Sequence, residues 1–497
     1  MDSATRVQAA NGGARVKRAR SGQAPSQLRQ ILSATAWSAG GSLLGRLFGF
    51  IGTLIGARLL GVAGFGAFSF VQSTVSVVNA YAGMGVGTTA TRFVAAQGDN
   101  EGAAKSVSRR LIGFGFVAAT VAAIAVGAGA PWIATTVLQK PELSTAVRAA
   151  AFLVLAGVAW ESVQGALSGY REFARIALCM ASAGIVGVTA IVLLTPALRL
   201  PGFILAQAIA SLAAIGVGLG VLSYRWRAAA AGSGDEGERL GAMLRFGAVY
   251  LASNAILAPV MWLVAWRLSA LPLGLEGLGY WGAAHQLKNI VALLPGLVSQ
   301  VALPLLAFHS VDQETSGFRA TLRSSVLVSG IAVLPLGVLL MLFASPLLSL
   351  FGTEFRAGAG LAQAVIAGSV CHLFAMPIVH ALTIGNVNLT AVVNLIWAGV
   401  LLTVVWSLLP AQGALAAGLG WFAAHAASMV LTVLFVRRQR GIDRATLVDM
   451  GVVLVICIAS LAGLLHGQSW VAWCAAAVAC VCSFRWVKEL RATPKGA

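Results

Sequence analysis

Apolar residues run along this chain in long, nearly unbroken blocks, without the alternation of strands or the one-sided stripes of soluble helices. From Ile31 almost to the C-terminus, stretches of eighteen or more apolar residues are separated by short polar breaks such as Gln97-Gly-Asp-Asn-Glu-Gly, Gln139-Lys-Pro-Glu and Asp312-Gln-Glu-Thr. A helix rises 1.5 Å per residue, so each block is long enough to cross a hydrocarbon core of about 30 Å. The blocks predict fourteen helices, at 31–57, 65–91, 111–138, 149–169, 175–197, 201–224, 246–267, 279–306, 324–348, 359–383, 389–409, 412–436, 447–466 and 468–486. The expected fold is all-α, a polytopic membrane protein.

Composition agrees with that pattern. The chain of 497 residues is 58% hydrophobic and 10% charged, against about 25% charged residues in soluble domains. A net charge of +18 would suit a nucleic-acid partner only if the basic residues shared one soluble face, and here they are spread over short loops. Alternate loops separate by charge instead: one set of segments holds 26 Lys plus Arg, and the other set holds six. Cationic loops resist translocation, so both termini are expected in the cytoplasm. Residues 1–29 read as a disordered basic cytoplasmic tail and 487–497 as a second cytoplasmic tail. Trp37, Trp132, Trp226, Trp281, Trp406 and Trp470 fall near predicted span ends and fit an interfacial belt.

The chain also repeats itself. Leu60-Gly-Val-Ala-Gly-Phe-Gly returns as Leu273-Gly-Leu-Glu-Gly-Leu-Gly, which aligns Gly61, Gly64 and Gly66 with Gly274, Gly277 and Gly279 at a constant offset of 213 residues. The repeat divides the chain into an N-lobe at 30–224, a cytoplasmic linker at 225–245, a C-lobe at 246–437 and two further helices within 447–486. Each lobe holds an even number of spans, so the two six-helix lobes are parallel and related by an axis along the membrane normal.

Charge inside such a bundle asks for a reason, because a charged side chain at the bilayer centre costs about 2.5–3.5 kcal/mol on insertion scales. Arg46 in the first helix and Lys288 in the eighth are the two intramembrane cations; Glu161 in the fourth is the acid well inside a span. Ser38, Ser42, Arg46 and Thr53 share one helical face, as do Gln72, Ser76 and Asn79 in the second helix. His285, Lys288 and Asn289 form a further stripe. Two cations and one carboxylate make a net positive cavity, whose low-dielectric walls focus the field on an anion. The alternatives are a structural bridge from either cation to Glu161, or snorkelling to an interface. His372, His380 and His425 are candidates for proton relay or for packing, and Asn254 with Pro259 for a bend. No phosphate-loop motif occurs, no cofactor is expected, and the short exterior loops leave no room for a folded catalytic site.

The run from Gly45 to Phe68, GRLFGFIGTLIGARLLGVAGFGAF, resembles the first-hairpin signature of polysaccharide and O-antigen flippases in the multidrug/oligosaccharidyl-lipid/polysaccharide exporter superfamily. LFGTEFRAGA from Leu350 and LPAQGALAAGLG from Leu409 extend the resemblance over residues 30–440. It implies a V-shaped pair of lobes around a cationic lumen. The implied cargo is an undecaprenyl-pyrophosphate-linked oligosaccharide, moved from the cytoplasmic to the periplasmic leaflet of a bacterial inner membrane. Essential cations of relatives in the first and eighth helices match Arg46 and Lys288 in helix and type, and Arg92 is the counterpart of their lower arginines. The polar neighbours Gln72, Asn79, His285 and Asn289 would complete the binding site, with Glu161 as a coupling or structural acid and H+ or Na+ as the coupling ion. Membrane lipid, a polysaccharide polymerase and glycosyltransferases would be its partners. A cation-coupled small-molecule exporter and a non-transporting scaffold for glycan assembly are the rival readings.

Overall fold

A computed structural model describes residues 45–98, 100–228, 240–254, 256–293, 315–440 and 442–492. The N-terminal tail, Ser38 and Ser42, the linker residues 229–239, the end of the eighth predicted span and residues 493–497 lie outside the described residues.

Among the described residues, ten helical segments are long and apolar enough to cross a membrane. Two of them contain two spans each. Gly45–Ala82 is interrupted by the left-handed Gly61 (φ 70°), which divides it into α1 (45–60) and α2 (62–82). Phe173–Ala228 is interrupted at Arg199 (φ 53°), giving α6 (173–198) and α7 (200–228). Its 56 residues would otherwise form a rod far longer than the roughly 30 Å core. The remaining elements are α3 (Val86–Ala95), α4 (Glu101–Trp132), α5 (Ser144–Gly169), α8 (Leu240–Asn254), α9 (Leu257–Ser269) and α10 (Gly274–Val291). They are followed by α11 (Thr315–Leu342), α12 (Ala359–Gly385), α13 (Val387–Gln412), α14 (Leu415–Arg440), α15 (Arg444–Leu465) and α16 (Ser469–Ala492). In its described part, each of the fourteen predicted spans is thus largely helical.

Two predicted spans are broken. The seventh consists of α8 and α9, and the break falls one turn before Pro259, whose ring nitrogen cannot donate to the carbonyl four residues back. The second consists of α2 and α3, separated at Met84 (φ 44°) and Gly85 (φ 65°). Continuous helix was expected over 65–91; the run Gly83-Met-Gly-Val-Gly instead supplies the backbone freedom for a left-handed step. Several helices also begin earlier than expected. α11 starts at Thr315, so Arg319 and Arg323 are on its first turns and not in a loop.

Two ion-pair clusters tie helices together near their polar ends. Arg225 bonds Glu101 and Glu172 (2.6 Å to the latter) and stacks over Tyr170 at 4.6 Å, which joins α7, α4 and the turn between α5 and α6. Arg323 on α11 bonds Asp449 at 2.7 Å and Glu489 at 2.8 Å, and Arg485 bonds the same aspartate. Asp449 is 1% exposed, so its charge is held entirely by these partners. Trp486 of α16 is buried 5.7 Å from Phe374 of α12. The final helix pair is therefore fastened to the second half of the chain.

The halves meet through α2 and α10, where a Cβ on Gly66 would run into the backbone of Leu275 and Gly279. Phe50 and Phe65 pack on Phe351 at 5.9 and 6.3 Å, and Arg58 donates to the Leu350 carbonyl at 2.7 Å. A second crossing places Gly247 of α8 against the Met84 carbonyl, with Phe93 and Phe246 edge to face at 5.8 Å.

Candidate functional site

Between those two crossings, α2 faces α9 and α10 across a cavity of about 450 Å³. Ser69, Gln72, Ser73 and Ser76 line it from α2, and Trp281 and His285 from α10. The hydroxyls of Ser69, Ser73 and Ser76 donate to carbonyls of their own helix at 2.7–2.9 Å, which leaves their oxygen lone pairs toward the cavity. Trp262 crosses the gap between halves to donate to Thr74 at 3.0 Å.

Lys288 follows His285 by three residues on α10, and its ammonium lies 5.0 Å from the centre of the Trp421 ring. This contact is a cation–π interaction with no carboxylate in it. His285 is wedged between Trp281 (4.3 Å) and Trp421 (4.8 Å); His425 lies 4.4 Å beyond Trp421, and His372 4.7 Å beyond His425. Sequence reading singled out the lysine and the histidines but not the indoles that join them. Trp281 was expected in an interfacial belt; it is 5% exposed, packed at 6.0 Å on Trp421. Trp132 and Trp470, at 62% and 65% exposed, do fit such a belt.

Glu161 opens onto a separate cavity of about 500 Å³ at the α2–α3 break, with Thr88, Thr91, Gln164 and Ser168. The break brings its carboxylate to Gly83, where a Cβ would stand 3.0 Å from Oε2. Among the described residues, no basic side chain pairs with it. Neither Arg46 nor Lys288 forms the structural bridge that was one alternative reading.

The other predicted residues are dispersed. Arg46 is exposed on the first described turn of α1. Arg92 is exposed on α3, its guanidinium 4.3 Å from the Phe246 ring at the second crossing of the halves. Asn79 abuts Gly157, its Oδ1 buried without a partner, and Asn289 is exposed. The structure thus brings Gln72, His285 and the neighbouring Lys288 together and leaves Arg46 and Arg92 apart from them.

A family model described as "Polysaccharide biosynthesis protein" matches residues 31–308, more than half of the chain. The chain belongs to this family. It is 25% identical over 352 residues to the EPS I polysaccharide export inner membrane protein EpsE of Ralstonia solanacearum, covering 69% of this chain and 78% of that one. Solved structures share the fold. An inward-facing multidrug resistance transporter of the MATE family superposes with a TM-score of 0.68 at 14% identity, over 80% of this chain and 94% of that one. The lipid II flippase MurJ in an inward closed conformation gives 0.65 at 11% identity, over 91% and 98%. Family membership places the chain among polysaccharide biosynthesis proteins, and the solved structures share its all-helical fold.

Proposed function

We propose that the protein flips an undecaprenyl-pyrophosphate-linked oligosaccharide from the cytoplasmic to the periplasmic leaflet of a bacterial inner membrane, with both termini in the cytoplasm. The observation that carries this reading is Lys288: a cation within the membrane-spanning bundle, next to the cavity between halves, held by an aromatic ring and, among the described residues, by no acid. A lysine paired with a carboxylate would have its field cancelled. Supported on an indole face, it keeps its charge available to a phosphate. Neutral hydroxyl, amide and imidazole groups in the cavity suit the sugars that follow the phosphate. The polyprenyl tail stays in lipid while the headgroup passes between the halves, which open alternately on either side. Family membership and the exopolysaccharide-export relative support the same substrate class and membrane.

Glu161 supports a second reading, cation-coupled export of a small molecule, because an intramembrane carboxylate with no basic partner among the described residues is what a proton, sodium ion or cationic solute needs. In cells depleted of the protein, a radiolabelled lipid-linked intermediate is expected to accumulate on the cytoplasmic face. Restoration by the native chain but not by Lys288→Ala supports the flippase; the absence of any accumulation rejects it.

A further inference from the structure

The cavity at the α2–α3 break, about 500 Å³, has the size of a ligand pocket, about 300–1,000 Å³. Polar groups make up much of its wall, and they are accessible: Glu161 and Thr88 are exposed, while Thr91, Gln164 and Ser168 are half-buried. Glu161, Gln164 and Ser168 follow one another at three and four residues on one face of α5, and Thr88 and Thr91 answer them from α3. Leu251 of α8 completes the lining, so the cavity lies in the gap between the halves. It continues the central cavity along that gap. Gln72 and Ser76 of α2 line the central cavity, and Ala80, one turn further on the same face, lines this one. From Gln72 to Ala80 the helix advances about 12 Å, a reach that a chain of sugars covers and a lone pyrophosphate does not.

The lining is rich in acceptors. Ionised Glu161 only accepts, and among the described residues no lysine or arginine lines the cavity to occupy its oxygens. Thr91 shares its hydroxyl proton between the Gly87 and Gly165 carbonyls at 3.0 and 3.1 Å, which leaves its lone pairs to a ligand. Thr88, Gln164 and Ser168 donate as well as accept. A carboxylate repels phosphate, so the pyrophosphate has its place at Lys288 and not here. A proton or an ion would use the carboxylate alone; the hydroxyls and the amide around it, on two facing helices, suit a ligand with many hydroxyls. Two adjacent hydroxyls of a pyranose donate to the two carboxylate oxygens in charge-assisted hydrogen bonds, and the others meet the threonines, the serine and the amide. An acidic sugar would instead set charge against charge.

We propose that the Glu161 cavity is a sugar subsite, which binds a neutral hexose of the cargo while Lys288 holds the pyrophosphate, and which turns uronic acids away. The proposal rests on the flippase reading and names the residue that sets selectivity among cargoes. A diol bound here needs an ionised carboxylate, so the sugar and a coupling proton compete for the same oxygens.

The full-length protein in nanodiscs is titrated with three probes: polyprenyl pyrophosphate alone, the same lipid carrying a trisaccharide of glucose, and the same lipid carrying that trisaccharide oxidised to glucuronic acid. The native protein is expected to bind the glucose-bearing lipid tenfold or more tighter than the bare lipid, and the glucuronic acid lipid no tighter than the bare one. Glu161→Gln, which keeps the side chain's shape and removes its charge, is expected to weaken the glucose-bearing lipid several-fold, strengthen the glucuronic acid lipid and leave the bare lipid unaffected. A gain for the acidic probe is an effect that damage to the fold does not produce. Lys288→Ala is expected to weaken all three probes alike. Equal binding of the bare and glucose-bearing lipids by the native protein, or an unchanged ratio between the two sugar-bearing lipids in Glu161→Gln, overturns the subsite with the flippase reading intact. Failure of all three to bind removes both.

Discussion

Gly66 of α2 and Gly279 of α10, equivalent positions of the internal repeat, lie backbone against backbone where the two halves of the chain cross. The contact is reciprocal: a Cβ on Gly66 would strike the Leu275 carbonyl, and a Cβ on Gly279 would strike that of Val62, which is the repeat equivalent of Leu275. Reciprocity of this kind is the mark of a two-fold interface, here formed within one chain. With only a hydrogen at each of these two positions, the helix backbones can approach closely.

A methyl group introduced at this crossing is therefore expected to wedge the halves apart. Gly279→Ala adds overpacking of about 1–3 kcal/mol to the closed arrangement. In a cysteine-free background carrying Ser69→Cys, labelling by a membrane-impermeant thiol reagent from outside the cell should rise when Gly279→Ala is added. Unchanged labelling would show that this crossing does not close the cavity.

Lys288 should be sensitive to charge more than to shape. Hydrogen bonds to charged groups contribute about 1.5–3 kcal/mol, so Lys288→Met is expected to cut lipid-linked cargo transport roughly tenfold to a hundredfold. Lys288→Arg, which keeps the charge and can still lie over Trp421, should retain part of the activity. Equal loss in both variants, at native abundance, would point to packing as the reason for the lysine.

Glu161→Gln tests whether the carboxylate couples transport to an ion. Because no described basic residue pairs with Glu161, the variant should accumulate in the membrane at the native level. Its transport is expected to become insensitive to collapse of the proton or sodium gradient. A gradient dependence identical to that of the native protein would take Glu161 out of the coupling step.

Asp449→Asn addresses stability alone. Breaking a buried ion pair from one side costs about 3–5 kcal/mol, since the cation left behind is still desolvated. The detergent-solubilised variant is expected to melt well below the native protein, and a native melting temperature would contradict the role assigned to the Arg323 cluster.

Much of the architecture is legible in the chain because lipid enforces it: each span must be a long apolar helix, so hydropathy locates the long helices of the described residues. The α8–α9 break could be anticipated from Pro259 for an equally local reason. The break at Met84 could not, because methionine rarely adopts a left-handed conformation and the flanking glycines suit close packing equally well. Lys288 and Glu161 stand out as charges in oil. The cluster around Lys288 does not, since Trp281 of α10 meets Trp421 and Trp397 of the α13–α14 pair only after the fold has formed. Trp281 near a predicted span end has the sequence context of an interfacial residue, and only the facing Trp421 shows otherwise.

Arg323 bears on how far the chain can be shortened. The helices after residue 440 stand outside the repeat and look like an optional extension. Yet Asp449 and Glu489, the acids that bond this guanidinium most closely, both belong to them. A truncated chain would lose both acids at once and uncover the flank of α11 that carries the guanidinium, so the appendage is a structural part of the half it adjoins.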